Sequence, residues 1–313
     1  MEETKRRSKA RWFALAAAAI VLLCGLVLLG GELCVIDLPP VNKVLEELHG
    51  LAPAEEADFS VHFIDVGQGD CELILDHGKV MLIDAGEADE AYTVIDYLRR
   101  RKIETIDYVV ATHPHSDHVG GLPRVMESFE IKNVILPQLS EINTPTAPTY
   151  ERLLTAVKES GAKVIAAKPL AEYTLGESKF TVLAPMTQDE ELNNMSVVLR
   201  LTYQNRSFLF MGDAETAVEE QILEKQFDVS CDVLKLGHHG SSSSNSAAFV
   251  SAAAPQYAVA ECGENNKYGH PHRETVALCR SLGVELLRTD KNGSIVFFVA
   301  EDGALTLRKE KQG

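Results

Sequence analysis

The chain has 313 residues, of which 45% are hydrophobic and 24% are charged, and its formal net charge is −16. This composition excludes an intrinsically disordered protein, and the length suffices for one large domain plus a short additional segment. The acidic charge excludes the overall basic surface that is typical of nucleic-acid-binding proteins, although bound metal ions would supply local positive potential.

The first feature in chain order is an apolar segment close to the N-terminus. Residues 12–29 are uncharged, and residues 1–11 carry five basic and two acidic side chains. A run of eighteen apolar residues can span a bilayer, and the basic residues before it predict a cytoplasmic N-terminus. We therefore predict a cytoplasmic tail at 1–11, a single-pass anchor in the lipid bilayer at 12–31, and an extracellular location for the rest of the chain.

Two other interpretations of this segment are a cleaved signal peptide and a buried core helix. The adjacent basic residues disfavour a core helix, and the length of the apolar run and the poor cleavage sequence at 29–34 disfavour a signal peptide. Residues 32–58 contain three prolines and are predicted to form a linker with one short helix at 41–49.

Short β-type runs and helical patterns alternate from residue 59 onward. The predicted strands are 60–66, 70–75, 79–84, 106–112, 133–136, 163–166, 179–183, 195–203, 206–211, 232–236, 257–261, 284–287, 294–299 and 304–308. The predicted helices are 90–102, 121–129, 149–160, 214–226, 245–253 and 272–282, with Gly161 and Gly283 as C-terminal stops. Turn sequences at 76–78, 291–293 and 301–303 predict β-hairpins.

The order of these elements suggests two similar halves. Each half opens with strands and continues with helices, and the second half begins at about residue 179. This order predicts an α/β fold with four layers, an αββα sandwich, for the domain at 59–313. Periodicity alone does not distinguish this fold from a mixed α+β domain. The six cysteines form no CxxC pair and are predicted to be small buried hydrophobic residues.

The segment His113-Pro-His115-Ser-Asp117-His118 follows the apolar strand at 106–112. In extended backbone His113 and His115 project to the same side, so that they can share one ion. Four potential ligands within six residues exceed the needs of one tetrahedral ion, and imidazole with carboxylate suits zinc or another first-row divalent metal. The alternative is a histidine-rich surface turn without a ligand role.

Other acidic and imidazole side chains also follow apolar strands. Asp84 ends one such strand, Asp213 ends a second, and the pair His238 and His239 ends a third. Strand ends converge on one rim of a sheet, where ligands gather from distant parts of a sequence. We therefore predict one site that contains all of these residues and the HxHxDH segment.

The ordered motifs resemble those of the metallo-β-lactamase superfamily. Further segments resemble the extracellular hydrolase domain of ComEC-type competence proteins, namely FIDVGQGD (63–70), NNMSVVLRL (193–201), FMGDAE (210–215), VLKLGHHGSSSS (233–244) and NNKYGHP (265–271). The resemblance spans residues 59 to about 308. It implies the αββα sandwich, with a site that holds two divalent metal ions, zinc in the first place and manganese as the alternative.

The resemblance also implies roles for individual residues. His113 and His115 would bind the first metal ion, and Asp117 and His118 would bind the second. Asp213 would bridge both ions. The second ion would also take His239, which leaves His238 to contact a substrate oxygen or move a proton; the two histidines could be exchanged. Asp84 would orient a ligand imidazole.

One region departs from this pattern. Many family members have a third histidine for the first metal about twenty residues before the Gly-Asp motif, where this chain has Asn193, Asn194 and Ser196. Amide and hydroxyl oxygens bind zinc more weakly than imidazole, so the first site would hold its ion loosely or favour manganese. Asn194 and Ser196 are also candidate substrate contacts.

A loop near the C-terminus supplies further candidate substrate contacts. His270 would contact the substrate, and Lys267 and Tyr268 would meet an anionic oxygen. The alternative is a surface turn fixed by Gly269 and Pro271.

These residues predict a membrane-anchored, metal-dependent phosphodiesterase or nuclease that uses a metal-bridged hydroxide, with His238 or His270 as general acid. Its substrate would be a phosphodiester of nucleic acid or of an envelope polymer head group. A choline-phosphate or teichoic-acid esterase is the second hypothesis, a non-catalytic metal-binding surface module the third, and a β-lactamase is disfavoured. No protein partner can be inferred.

Overall fold

The computed structural model describes residues 58–140 and 143–311. The predicted tail, anchor and short helix at 41–49 lie outside these residues. Within the described ranges, none of the helices has the length and apolar character of a membrane span.

Strands and helices alternate along the described chain. The strands are β1 (Phe59–Phe63), β2 (Glu72–Asp76), β3 (Lys79–Ile83), β4 (Thr105–Val110), β5 (Glu130–Leu136), β6 (Lys163–Ala166), β7 (Glu172–Leu175), β8 (Ser178–Ala184), β9 (Val198–Tyr203), β10 (Arg206–Phe210), β11 (Val233–Lys235), β12 (Tyr257–Ala260), β13 (Glu285–Arg288), β14 (Ile295–Val299) and β15 (Leu305–Lys309). The helices are α1 (Ala91–Arg100), α2 (Ser116–Val119), α3 (Leu122–Ser128), α4 (Pro148–Ser160), α5 (Thr216–Glu224), α6 (Ala247–Ala253), α7 (Arg273–Leu282) and α8 (Thr289–Asn292). Two 3₁₀ turns cover Leu192–Met195 and Gly237–Gly240.

The strands form two sheets. The first has the order β15-β14-β1-β2-β3-β4-β5-β6, and the second has the order β13-β12-β11-β10-β9-β8-β7. Apolar side chains of both sheets, such as Phe63, Phe210 and Phe297, form a buried layer between them. The outer face of the first sheet packs on α1, α3 and α4, and the outer face of the second packs on α5, α6 and α7. The predicted α/β fold with two sheets is therefore confirmed, because each sheet buries both of its faces.

Three local predictions have different outcomes. Tight hairpins join β2 to β3 and β14 to β15, as the turns at 76–78 and 301–303 predict. The hairpin predicted at 291–293 is wrong, because α8 and Gly293 carry the chain from β13 in one sheet to β14 in the other. Short strand β7 was not predicted, since only one of its four residues is buried and its sequence has little apolar signal.

Other outcomes concern helix ends and cysteines. Gly161 and Gly283 end α4 and α7 in the left-handed conformation, as predicted. Four cysteines within the described residues are buried and free, in agreement with a role as small hydrophobic side chains, and they are Cys71, Cys231, Cys262 and Cys279.

Parallel pairing brings the polar strand ends together. β3 pairs with β4, and β10 pairs with β11, in both cases in parallel. Asp84 and the HxHxDH segment follow the first pair of strands, while Asp213 and the two adjacent histidines follow the second. Because parallel strands end at the same edge of a sheet, all of these side chains are delivered to one rim.

Candidate metal centre

The imidazole of His118 is oriented by a carboxylate behind it. Its Nδ1 lies 2.8 Å from Oδ2 of Asp84, and its Nε2 lies 3.3 Å from Oδ1 of Asp213. Asp84 accepts hydrogen bonds from the backbone N–H and the hydroxyl of Thr112. Since both carboxylate oxygens of Asp84 are engaged, Nδ1 of His118 is the donor and Nε2 is presented to Asp213.

Through its Nδ1, His239 hydrogen-bonds to a backbone carbonyl and also lies beside a carboxylate. Its Nδ1 lies 3.0 Å from the carbonyl oxygen of Glu261 and 3.0 Å from Oδ1 of Asp70. Its Nε2 lies 3.3 Å from Oδ2 of Asp117 and 3.7 Å from Oδ2 of Asp213. The backbone of His239 is left-handed, with φ of 54°, a conformation that turns the chain sharply after β11.

The atoms that face Asp213 lack other partners. Among the described residues, Nε2 of His118, Nε2 of His239 and Oδ1 of Asp213 are buried without a hydrogen-bond partner. Buried polar atoms are rarely left unpaired, and two imidazole nitrogens with carboxylate oxygens form a ligand set that zinc and other first-row ions prefer. This donor set therefore fits a divalent metal ion.

His113 and His115 form a second group around the same carboxylate. Nε2 of His113 lies 3.0 Å from Nδ1 of His115 and 3.7 Å from Oδ2 of Asp213, and the three residues can share one ion. Nδ1 of His113 contacts the hydroxyl of Thr112 at 3.2 Å. Asp213 thus lies between two histidine pairs, as a bridging ligand would.

Asn193, Asn194 and Ser196 pack beside the Asp213 loop. The hydroxyl of Ser196 accepts a hydrogen bond from the Asp213 N–H at 3.0 Å, and Oδ1 of Asn194 accepts one from the Glu215 N–H at 3.3 Å. Oδ1 of Asn193 is buried and has no hydrogen-bond partner within the described ranges. The side chains of Asn194 and Ser196 therefore hold the loop in place, and their predicted contact with substrate stays a prediction.

His238 lies at the more exposed side of the centre. Its Nε2 lies 3.7 Å from Oδ2 of Asp213, and its Nδ1 lies 3.3 Å from Oε1 of Glu215. The hydroxyl of Ser243 donates to the same Glu215 oxygen at 2.8 Å. The His238 ring therefore lies between the carboxylates of Glu215 and Asp213, with Nε2 on the Asp213 side.

The predicted C-terminal loop also reaches the centre. The His270 ring lies 5.3 Å from that of His238 and 5.7 Å from that of His239, centroid to centroid. Tyr268 stacks on His270 at 5.5 Å, and Nζ of Lys267 lies 4.9 Å from the centroid of the Tyr268 ring. The loop approaches closely because residue 240 is glycine, where a Cβ atom would lie 2.6 Å from Cβ of Pro271.

A buried network of charged residues beneath the histidines was missed by the sequence interpretation. Nζ of Lys235 lies 2.6 Å from Oδ2 of Asp70 and donates to the Leu236 carbonyl at 2.9 Å. Carboxylate oxygens of Asp70, Glu72 and Glu261 lie within 4.8 Å of one another. Lys235 is the one charged residue of the apolar run 233–237, which is the signal that indicates it from sequence.

The network perturbs the pKa of each carboxyl group. Burial and the Asp70 carboxylate raise the pKa of Glu261 to about 8, and burial and Glu261 raise the pKa of Glu72 well above its usual value. Burial also opposes ionisation of Asp70, but the positive charges of Lys235, His239 and His118 together outweigh this effect and lower the pKa of Asp70. Asp70 is therefore the carboxyl group of this network that favours the ionised form, whereas burial and neighbouring carboxylates favour the protonated forms of Glu72 and Glu261.

The histidines divide into two electrostatic classes. Burial favours the neutral form of His239, but the Asp213 and Asp70 carboxylates outweigh it and raise the pKa of His239 to about 10. The same carboxylates raise the pKa of His118 well above its usual value against the effect of burial. Burial and the positive charge of His118 instead lower the pKa of His113 well below its usual value. The field of the site thus attracts positive charge mainly toward His118 and His239.

Taken together, two packed sheets and a rim of histidines around one shared aspartate define a metallohydrolase of the α/β class. Residues 64–263 match the family model described as "Metallo-beta-lactamase superfamily", so the chain belongs to that superfamily.

Two similar bacterial proteins are much longer than this chain. The chain is 29% identical to ComE operon protein 3 of Bacillus subtilis over 78% of its length, and 31% identical to competence protein ComA of Neisseria gonorrhoeae over 82% of its length. It spans about a third of each relative, 34% in both cases. The chain is therefore a metallo-β-lactamase-type hydrolase related to the ComEC-type competence proteins.

A solved structure has the same fold. The metallo-beta-lactamase fold protein YhfI of Bacillus subtilis superposes with a TM-score of 0.52 at 13% identity, covering 80% of this chain and all of YhfI. At this identity the similarity shows the fold alone.

Proposed function

We propose that this protein is a metal-dependent phosphodiesterase that hydrolyses nucleic acid. The observation that carries the proposal is that four histidines each place a ring nitrogen within 3.7 Å of the Asp213 carboxylate, and that the nitrogen atoms of His118 and His239 that face it have no hydrogen-bond partner among the described residues. The similarity to relatives named for competence supports nucleic acid as the substrate class.

Two divalent ions would each take ligands from one side of Asp213. His113 and His115 would hold the first ion, Asp117, His118 and His239 the second, and Asp213 would bridge them. Such ions neutralise charge on a phosphodiester and lower the pKa of a water molecule between them. They would also offset the repulsion between an anionic substrate and this acidic chain.

His238 is the residue that we assign to proton transfer. Its Nε2 faces the bridging carboxylate, and the Glu215 carboxylate lies 3.3 Å from its Nδ1. A carboxylate in this position orients the imidazole by accepting from Nδ1–H, and when the ring carries a second proton, Nε2–H can donate it to the leaving oxygen. Asp84 and Asp70 would act through His118 and His239, whose rings they orient.

The test is turnover by the purified full-length chain with added manganese or zinc. We expect it to cleave bis(p-nitrophenyl) phosphate and single-stranded DNA, and we expect His115→Ala to lose most of this activity. Absence of turnover by the wild type, or full turnover by His115→Ala, would contradict the proposal. Preferential release of phosphocholine from a chromogenic ester would favour an envelope esterase, and absence of bound metal after reconstitution would favour a non-catalytic module.

We further propose that residues 12–31 anchor the chain in the cell membrane, with the catalytic domain outside. Cys34 follows the predicted anchor, whereas the four cysteines of the described residues are buried. A membrane-impermeant maleimide should therefore label Cys34 in intact cells, and Cys34→Ser should remove the label. Labelling only after lysis would contradict this topology, and loss of residues 1–31 from the mature protein would indicate a cleaved signal peptide.

A further inference from the structure

We propose that the Tyr268 ring is a stacking site for an unpaired base of the substrate, one nucleotide away from the scissile phosphate. The inference rests on the proposed phosphodiesterase function and names the substrate class, which is single-stranded nucleic acid. It differs from the sequence-based prediction for Tyr268, in which this residue, with Lys267, would meet an anionic oxygen of the substrate.

A ladder of three aromatic rings leads from the surface to the metal centre. The Tyr268 and His270 rings are nearly parallel, with 17° between their planes and 5.5 Å between their centroids. His270 and His239 stack at 5.7 Å with 29° between their planes. Tyr268 is 51% exposed, whereas His270 is only 6% exposed. The outermost ring is therefore accessible, and it lies two stacking steps from a candidate metal ligand.

The loop that carries the ladder is held in place by hydrogen bonds. The side chain of Asn266 accepts from the His270 N–H at 2.9 Å and donates to the His270 carbonyl at 2.8 Å. The Tyr268 carbonyl lies 3.1 Å from Nε2 of His272. An exposed aromatic ring on a restrained loop loses little conformational entropy when a flat ligand stacks on it.

An unsatisfied polar atom lies beside the ladder. Nδ1 of His270 is buried and has no hydrogen-bond partner within residues 58–140 and 143–311. Buried polar atoms without a partner are uncommon, and a ligand is one way to satisfy them. A nucleotide seated on Tyr268 would bring sugar and phosphate oxygens toward this nitrogen.

The charge next to the ring favours a base over a quaternary ammonium group. Nζ of Lys267 lies 4.9 Å from the centroid of the Tyr268 ring, so the ring already contacts one cation. A second cation there would meet electrostatic repulsion, whereas a neutral base with a phosphate attached would be attracted to Lys267. The site therefore suits a nucleotide better than choline phosphate.

The same geometry favours a single strand. Bases in a duplex are stacked on their neighbours and would first have to be extruded, whereas bases in a single strand are free to stack on protein rings. Stacking of this kind does not depend on base identity, so the site would select unpaired nucleotides without strong sequence preference.

The first experiment measures stacking without cleavage. A cleavage-resistant phosphorothioate single strand that carries 2-aminopurine is titrated with the full chain in the presence of manganese. We expect quenching of the 2-aminopurine fluorescence by the wild type and by Tyr268→Phe, which keeps the ring and removes the hydroxyl. Tyr268→Ala should bind roughly tenfold more weakly or worse, without the quench. Equal quenching by Tyr268→Ala would overturn the proposal, and so would loss of the quench in Tyr268→Phe.

The second experiment separates this inference from the proposed function. Cleavage of a single-stranded oligonucleotide is compared with cleavage of methyl p-nitrophenyl phosphate, which has no base. Tyr268→Ala should raise KM for the oligonucleotide roughly tenfold and should change kcat/KM for the small ester much less. A wild type that cleaves neither substrate contradicts the proposed function, while the fluorescence titration still tests the stacking site. If the wild type cleaves both substrates and Tyr268→Ala cleaves the oligonucleotide equally well, the stacking site is overturned and the proposed function stands. The same conclusion follows if Tyr268→Ala is impaired only on a phosphocholine ester.

Discussion

The two histidine pairs around Asp213 are supported in different ways. On one side, which we call the carboxylate-backed side, Nδ1 of His118 faces Asp84 and Nδ1 of His239 faces Asp70. On the other, which we call the hydroxyl-backed side, Nδ1 of His113 contacts a neutral hydroxyl. A carboxylate behind an imidazole raises its basicity and fixes its orientation, whereas a hydroxyl does so weakly.

This difference predicts unequal metal affinity within one centre. The carboxylate-backed side has two imidazoles with a carboxylate behind each, whereas the hydroxyl-backed side has His115 and His113, with a neutral hydroxyl behind His113. We expect the first ion bound to occupy the carboxylate-backed side. The five predictions below test this comparison, from the largest expected effect to the smallest.

Lys235→Met should destabilise the protein by about 3–5 kcal/mol, since it leaves buried carboxylates without their cation. The effect would reach the carboxylate-backed side, because Asp70 lies 2.6 Å from Lys235 and supports His239. Urea unfolding of the metal-free protein measures the change. The double variant Lys235→Met/Glu261→Gln should recover part of the loss, and an unchanged unfolding midpoint for Lys235→Met would show that the ammonium is dispensable.

Asp70→Asn should weaken metal binding at the carboxylate-backed side by roughly 10–100-fold, the usual effect of losing a carboxylate behind a ligand imidazole. The hydroxyl-backed side should change much less. Stepwise calorimetric titration with zinc distinguishes the two binding events. An equal loss in both events would mean that the two sides act as one unit, and a loss confined to the weaker event would reverse our assignment.

The two sides should also respond differently to pH. His239, with a pKa of about 10 in the metal-free protein, must lose a proton to bind an ion, and the lowered pKa of His113 leaves it neutral. Affinity at the carboxylate-backed side should therefore rise about tenfold per pH unit between pH 6 and pH 8 for each proton displaced. Titrations with manganese in buffers of different ionisation enthalpy count the protons released, and no release would refute the prediction.

The raised pKa of His239 also has a consequence for the metal-free fold. Protonated His239 stabilises the folded state fully below its unfolded pKa of about 6.5, and this contribution is lost as the pH rises through about 10. Bound metal would replace the proton on His239. The folding stability of the metal-loaded protein should therefore decrease less as the pH rises.

Thr112→Val should have the smallest effect. It removes one hydroxyl that contacts both His113 and Asp84, at a cost of about 0.5–1.5 kcal/mol in metal binding. Thr112→Ser keeps the hydroxyl and serves as the matched control. An effect larger than that of Asp70→Asn would show that the hydroxyl-backed side is the better supported one.

Several features of this site were predictable from sequence because they depend on local order. An apolar strand followed by HxHxDH, and three further strands that end in Asp84, Asp213 and a histidine pair, indicate one rim of ligands. Local alternation cannot show that Asp70 and Lys235 meet. Asp70 lies in the loop before β2 of the first sheet, Lys235 lies on β11 of the second, and 165 positions separate them.

The sequence by itself therefore determined the strands other than β7, most helices and the candidate ligands, and its family resemblance implied the two-sheet α/β fold. Only the tertiary structure decided that β14 and β15 leave the second half of the chain to join the first sheet, which a local turn signal at 291–293 could not show. It also decided which nitrogen of each histidine faces Asp213 and which groups lie behind it. The physical reason is that periodicity records which face of an element is buried, whereas pairing between distant elements depends on how the buried faces fit together.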